Sequence, residues 1–269
     1  MAKKRLDVLL VERGLADSRQ RAQAIIMAGL VYAGERRCDK AGQTLDEEAV
    51  LEIRGQTMPY VSRGGLKLEK AMQVFPITLK DKIAADIGAS TGGFTDCMLK
   101  NGASKVYAVD VGYGQLDWVI RNDPRVVCLE RTNARYLTRE QIPEPLDFAS
   151  IDVSFISLGL ILPALRLLLK DGGEIAALVK PQFEAGRDKV GKKGVVRDPA
   201  VHLEVLEQFL RQAGQSGYSV KGLDFSPIRG PEGNIEYLGY LCAGPGENQP
   251  VDLRELVRIS HETLKGGGQ

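Results

Sequence analysis

No two of the four cysteines in this 269-residue chain stand near each other: Cys38, Cys97, Cys128 and Cys242 form no C-x-x-C unit, and only His202 and His261 could supply imidazoles beside them. A structural zinc site needs several such donors at short spacing, and a disulfide framework needs dense cysteine, so neither a metal nor a disulfide scaffold is expected. An excess of charge is missing too. Lys and Arg number 36 against 35 Asp and Glu, a formal +1, so any affinity for nucleic acid or membrane must come from where the charges lie. Long apolar runs are also lacking. The most apolar stretch, residues 158–169, is interrupted by Pro163 and Arg166 and is too short to span a bilayer, and the basic opening MAKKRLDVLLVERG has no apolar signal core. These lacks describe a reduced, cytoplasmic protein with no membrane role.

What is present suffices for a packed core: 43% of residues are hydrophobic and 26% charged, which argues against disorder. Residues 6–14 and 18–29 carry apolar side chains at helical spacing, the second with Ser18 as cap and Gly29 as stop. LVYAGE (30–35) and VLEI (50–53) follow as β-rich pieces, and the turn formers of 55–64 (GQTMPYVSRG) mark a boundary, giving a small α+β module over 1–58, a linker over 59–64 and a larger unit over 65–269. Within the module, residues 1–40 hold nine Lys and Arg against five acids, whereas residues 41–58 hold one Arg against four acids. The basic half could meet phosphates, or it could be an ordinary solvated helix face.

The word RLDVLLVERGLADSRQRAQAIIMAGLV, from Arg5 to Val31, resembles the S4 RNA-binding domain, and the match covers nearly the whole module. The resemblance implies Arg5, Arg19, Arg21, Arg36 and Arg37 as RNA phosphate contacts. It departs from the family pattern at Ala33-Gly34, where Asn-Gly is usual.

Beyond residue 64, strand-like and helical segments alternate: 82–88, 92–102, 106–112, 126–129, 146–152, a helix over 156–170, then 172–180, a helix over 199–213, 218–226 and 234–242. Apolar strands alternating with helices predict an α/β, Rossmann-like domain with a mostly parallel sheet and helices on both faces. The first strand runs into Asp86-Ile87-Gly88 and the turn Ala89-Ser90-Thr91-Gly92-Gly93-Phe94. Glycines at such a turn let a ligand approach the backbone at the sheet edge where cofactors bind. Asp110 ends the second strand, where a carboxylate can accept from two ribose hydroxyls. The spacing fits a nucleoside-type cofactor, or a glycine turn needed only for tight packing.

DIGASTGGFTDCML resembles the first motif of S-adenosyl-L-methionine-dependent ribose methyltransferases of the FtsJ type. The resemblance implies Asp86, Gly88, Ala89, Ser90, Gly92, Gly93 and Phe94 on the methionine side, Asp110 at the ribose, Asn133 near adenine and Asp152 beside the methyl group. Lys67, Asp152, Lys180 and Glu236 match the Lys-Asp-Lys-Glu tetrad of ribose 2′-O-methyltransferases. The words YVSRGGLKL, DVSFISL, LVKPQFEAG and GNIEYL resemble the TlyA subfamily, often labelled haemolysin and understood as cytidine 2′-O-methyltransferases of ribosomal RNA.

That likeness implies Lys180 as proton acceptor, with Asp152 and Lys67 orienting it and Glu236 anchoring the network. It makes ribosomal RNA in ribosomal subunits the partner; a monomer is favoured, and the sequence leaves the oligomeric state open. Arg63 joins the RNA-facing set, as do Arg187, Lys189, Lys192 and Lys193 of the glycine-rich stretch 182–197, which reads as a mobile lid over the site or as a flexible surface loop. His202 and His261 are read as structural or solvated. Two other functions compete: a membrane-active cytolysin, and a non-catalytic ribosome-assembly factor on a methyltransferase fold.

Overall fold

The computed structural model describes residues 3–27, 29–55 and 58–265 and divides into two compact units, Met1–Pro59 and Tyr60–Gln269. Parts of the expected helix at 18–29 and of the turn-rich stretch 55–64, and the GGGQ tail, lie outside the described residues.

The first unit runs β1 (Lys3–Arg5), α1 (Leu6–Glu12), α2 (Arg19–Met27), β2 (Val31–Ala33), β3 (Arg36–Cys38), β4 (Thr44–Asp46) and β5 (Leu51–Ile53). The helical spacing read in the sequence buries Leu6, Leu9 and Leu10 of α1 against Ile25 and Ile26 of α2, closed by Val31 and Leu51 from the strands. Strand β2 is central in a three-stranded antiparallel sheet, and β1 pairs separately with β4. Three of these strands, β1, β3 and β4, have no alternating apolar pattern, so the sequence marks no strand at 3–5, 36–38 or 44–46. Here the pairing backbone, not the side chains, decides the conformation.

The second unit runs α3 (Gly64–Val74), β6 (Ile83–Ile87), α4 (Gly93–Lys100), β7 (Lys105–Val109), α5 (Trp118–Arg121), β8 (Val126–Leu129), β9 (Leu146–Ile151), α6 (Leu162–Leu168), β10 (Leu169–Val179), α7 (Pro181–Glu184), α8 (Pro199–Gln215), β11 (Tyr218–Phe225), β12 (Tyr237–Ala243) and α9 (Leu253–Leu264). Its seven-stranded sheet has the order β11-β12-β10-β9-β6-β7-β8. Strands β6 to β10 are parallel, and β12 runs antiparallel to both β10 and β11. The α/β class and the mostly parallel sheet are thus as expected. Two apolar clusters cover the sheet, one with Ile151, Leu165 and Phe209, the other with Leu68, Met98 and Phe148.

Four local expectations change. The helix expected over 156–170 is a short 3-10 turn, Leu158–Leu160, followed by α6. It stops at Leu168 because Leu169 already pairs with Leu146 of β9. Residues 60–64 are not a free linker: Tyr60 is buried, its hydroxyl donates to Glu69 at 2.9 Å, and the Val61 amide donates to Asp96 at 2.9 Å. The terminal segment around His261, read as a fraying end, is the helix α9, capped by Asp252 and burying Val257 and Ser260. Finally, Glu236 precedes its strand and is not part of it.

Candidate active site

In this sheet the ends of β7, β6, β9 and β10 lie side by side, which brings Asp110, Gly88, Asp152 and Lys180 to one edge. Strand β12 runs the other way and pairs Tyr237 with Val179, so its beginning sits at that same edge and delivers Glu236 there. The antiparallel turn of one strand therefore joins the end of the chain to the motifs before it.

A crevice opens at this edge in two lobes of about 410 and 420 Å³ that share Gly88, Ser90 and Asp152. The first lobe is walled by Arg63, Lys67, Ala89, Gly93, Phe94 and Arg229. The second is walled by Asp110, Gln115, Asn133, Ser154, Phe155 and Ile156. The Gly88 backbone, at φ +87°, is in the left-handed region, and a Cβ there would come within 2.5 Å of the Asp152 carbonyl oxygen. Only glycine fits that approach of β6 to β9. Gly92, at φ +93°, begins α4 but packs toward Leu116 and lines neither lobe.

Lys67 and Glu236 form an ion pair at 2.6 Å in which both side chains are buried. Lys67 also lies 3.7 Å from Asp152 Oδ2, and Asp152 Oδ1 lies 2.5 Å from Lys180 Nζ. Asp152 is thus shared by two lysines, one from α3 and one from the end of β10. Lys180 also donates to the Ser154 hydroxyl at 3.3 Å and sits 5.9 Å from the centre of the Phe183 ring. Gln182 donates to the other oxygen of Glu236 at 3.4 Å. All four residues of the expected tetrad are in one connected cluster, with two positive and two negative charges balanced against each other. Burial of such charges is tolerable only when each has a partner.

Asp110 accepts from the Ser90 amide at 2.8 Å and the Gly112 amide at 2.7 Å. Asn133 uses its side-chain carbonyl to cap the following turn, accepting from the Arg135 amide at 3.0 Å, and lines the second lobe. Asp86, read from sequence with the cofactor set, is fully buried and lines neither lobe. Its oxygens accept from the Thr95 amide and hydroxyl and from the Ser150 hydroxyl, pinning β6 to α4 and β9. Burial pushes its carboxyl up to about 6, against the pull of those hydrogen bonds.

The expected RNA contacts divide. Arg63 is exposed, has no side-chain partner among the described residues and lines the first lobe of the crevice. In the first unit, Arg5 and Arg19 converge on the buried Asp7, at 2.9 and 3.0 Å, with Gln23 donating to the same carboxylate. The Arg5 hydrogen bond, above all, holds that carboxyl well below the usual aspartate range. Arg21 donates to the Met58 carbonyl, and Arg36 and Arg37 are exposed on β3. Arg187, Lys189, Lys192 and Lys193 are exposed, with Lys189 paired to Glu204.

The stretch 182–197 is not wholly free, as a mobile lid would be. Val195 and Val196 are buried, Asn234 bridges the Val196 amide and the Gly194 carbonyl, and His202 Nε2 lies 3.1 Å from the Val196 carbonyl. His202 is structural, as expected, and burial pulls its imidazole down to about 4.

Three residues at or near these sites were not singled out in the sequence. Asp7 counted there only as one acid in a charge tally. Gln182 sat unremarked in the motif LVKPQFEAG. Glu184, from the same motif, reaches from α7 to the Ser157 hydroxyl at 2.6 Å and the Leu158 amide at 2.7 Å, and so ties the segment after Asp152 to the segment after Lys180. The one available signal was a carboxylate among small and apolar residues, common in any surface helix.

Comparison with known proteins matches residues 60–243 to the FtsJ-like methyltransferase model and residues 4–51 to the S4 domain model. The YqxC protein of Bacillus subtilis, named as an rRNA methyltransferase, is 57% identical over 98% of this chain and 96% of its own. The 16S/23S rRNA (cytidine-2′-O)-methyltransferase TlyA of Mycobacterium tuberculosis is 46% identical, covering 98% of each chain. A solved Streptococcus thermophilus structure carrying a hemolysin name is 50% identical, covers 98% of both chains and superposes with a TM-score of 0.78.

Proposed function

This chain belongs to the FtsJ-like methyltransferase family, with an S4 domain preceding the methyltransferase unit in sequence, and from that premise we propose that it transfers the methyl group of S-adenosyl-L-methionine to the 2′-hydroxyl of cytidine in ribosomal RNA. Large-subunit 23S RNA is the first candidate substrate and small-subunit 16S RNA the second. The observation that carries this reading is the Lys67-Asp152-Lys180-Glu236 cluster, which meets the crevice through Lys67 in the first lobe and Asp152 in both.

The crevice fits the cofactor in kind. Its lobes fall within the size range of small-molecule sites. They meet at Gly88, Ser90 and Asp152, at the edge where β6 and β9 end. Asp110 would hold the ribose, the free amide of Asn133 the adenine, and the unpartnered guanidinium of Arg63 the methionine carboxylate. When bound, S-adenosylmethionine supplies a methyl group activated by a positive sulfur.

The protein's own task is to bring a ribose hydroxyl in line and remove its proton. Lys180 is suited to accept that proton in its neutral amine form, oriented by Asp152 and Ser154. Asp152 keeps a cationic partner in Lys67 when Lys180 is neutral, and Glu236 in turn fixes Lys67. With Lys180 neutral the cluster carries one net negative charge, and Lys67 still faces both carboxylates.

The decisive measurement is transfer of labelled methyl from S-adenosylmethionine to purified ribosomal subunits, followed by nucleoside analysis. The expected product is 2′-O-methylcytidine. A base-methylated nucleoside, or no transfer from a protein that still binds RNA or leaks liposomes, would overturn the proposal. Lys180→Ala should lower turnover by about 10²- to 10⁴-fold, some 3–5 kcal/mol in barrier, with cofactor affinity near that of the parent protein.

A further inference from the structure

A groove of about 600 Å³ lies between the first turns of α8 and one face of α9, and it shares no lining residue with the crevice. Its floor includes Leu203 and Val257, and its walls carry Arg197, Arg254, His261 and Lys265. Arg258 lines it as well but is already paired with Glu255 and Glu262. Among the described residues Arg197, Arg254 and Lys265 have no side-chain partner. His261 Nε2 is buried without one, its ring 4.8 Å from that of His202. Burial first, and then the nearby Lys265 and Arg229, hold the His261 imidazole below its ordinary value. In a chain whose formal charge is only +1, the groove gathers four Lys and Arg against one carboxylate, Glu262. Its complement must come from outside and be anionic.

An apolar floor beneath unpaired guanidinium and ammonium groups matches a nucleotide strand, which offers bases to the floor and phosphates to the rim. We propose that this groove docks a single-stranded segment of the substrate RNA, with phosphates on Arg254 and Lys265 and a base against Leu203 and Val257. The assignment rests on the RNA-methylating function proposed above.

Helix α9 is also fastened to the stretch that bears Glu236. Ser260 lies 3.1 Å from the Tyr237 hydroxyl, and Arg229 donates from Nε and Nη2 to the Leu264 carbonyl at 3.0 and 2.6 Å. A strand held on α9 is thus referenced to the same rigid piece as the catalytic cluster.

The test uses the full-length protein and a fluorescently labelled single-stranded oligocytidine, with binding followed by anisotropy across a salt series. The double variant Arg254→Gln, Lys265→Gln should bind roughly tenfold more weakly at low salt and flatten the dependence of log K on log salt by about 1.4, or about 0.7 for each lost phosphate contact. Glu262→Gln, which removes the groove's one carboxylate, should bind about twice as tightly, a gain that misfolding cannot produce. S-adenosylmethionine affinity, measured by calorimetry on each sample, should match the parent protein. A parent-like salt slope in the double variant overturns the groove assignment while leaving the proposed function standing. A change in sedimentation of the double variant with no change in RNA binding gives the groove to a protein partner and also overturns it. Failure of the parent protein to bind any RNA, including ribosomal subunits, overturns the proposed function and the groove together.

Discussion

Both oxygens of Asp110 accept backbone amides, Ser90 at 2.8 Å and Gly112 at 2.7 Å, and Ser90 itself sits at φ +48°, in the left-handed region that non-glycine residues rarely adopt. Removing the carboxylate deletes a ribose partner and also frees a strained turn. Asp110→Ala is therefore expected to weaken S-adenosylmethionine binding by roughly 1.5–3 kcal/mol, the worth of a hydrogen-bonded charged group. Asp110→Asn, which keeps one acceptor, should fall between. Calorimetry showing parent affinity in the alanine variant would take Asp110 out of the site.

Asp7 behaves differently because its partners are the arginines themselves. Its carboxyl is held below its ordinary value of 3.8, first by the Arg5 hydrogen bond, so the folded first unit favours the ionised form. The stabilisation is complete above the unfolded value and fades as pH falls below about 3.9 toward the lower folded value. Asp7→Asn should flatten the acid side of the stability profile and cost about 1–2 kcal/mol at neutral pH, the lower end for charged hydrogen bonds because Arg5 and Arg19 are about half exposed. Denaturant melts of parent and variant between pH 2 and 7 that stay parallel would refute this account. The residue types of both sites were legible in the sequence; their hydrogen bonds were not. Nothing in the word RLD distinguishes a buried acid that organises two arginines from an exposed one.

At the scale of elements, the short helix α7 and the segment after β9 act as one piece. Glu184 grips Ser157 and the Leu158 amide, and Gln212 of α8 reaches the same hydroxyl at 3.3 Å. The clamp joins the segments that follow Asp152 and Lys180, two residues at the ends of neighbouring strands. Glu184→Gln keeps the volume but weakens one of the two acceptors. It should lower kcat roughly tenfold while leaving KM for S-adenosylmethionine unchanged, since misplacement of reacting groups is paid in rate. Equal changes in both parameters would contradict the clamp.

Elements with strong patterns are readable in the sequence: the apolar strands β6 to β9, and the helix over 199–213, which the structure shows as α8. Those that depend on partners were not. The direction of β12 leaves no mark on its own side chains. Helix α9 follows a polar GPGENQP stretch that reads as a linker. The apolar run 158–169 was overextended as one helix because β10 claims its last residue through pairing with β9.

On the scale of the whole molecule, the formal +1 conceals a module whose first forty residues carry +4 and whose next eighteen carry −3. Each unit has its own apolar cluster, and Tyr60 and Val61 are anchored within the second unit, so removing residues 1–59 should spare the crevice. The truncated protein is expected to bind S-adenosylmethionine normally while methyl transfer to ribosomal subunits collapses. If all five arginines that the S4 resemblance implies meet phosphates, their loss should flatten the salt dependence of RNA binding by about 3.5–4.5. A truncated protein that methylates subunits as the full chain does, with the parent salt slope, would remove the S4 domain as the RNA anchor. The two-part organisation was legible from charge and from turn formers near residue 59, because composition shifts where a separate core begins.

The Lys67 to Glu236 ion pair joins residues 169 positions apart, and the strand that carries Glu236 to the site edge pairs with β10 only after β11 has been made. During synthesis the crevice and its glycine turn can therefore take shape on the ribosome well before the last partner of the tetrad has left the exit tunnel. Such distant pairings are slow to close. Until β12 docks, Lys67 lacks the nearer of its two anions, the Glu236 carboxylate that it meets at 2.6 Å.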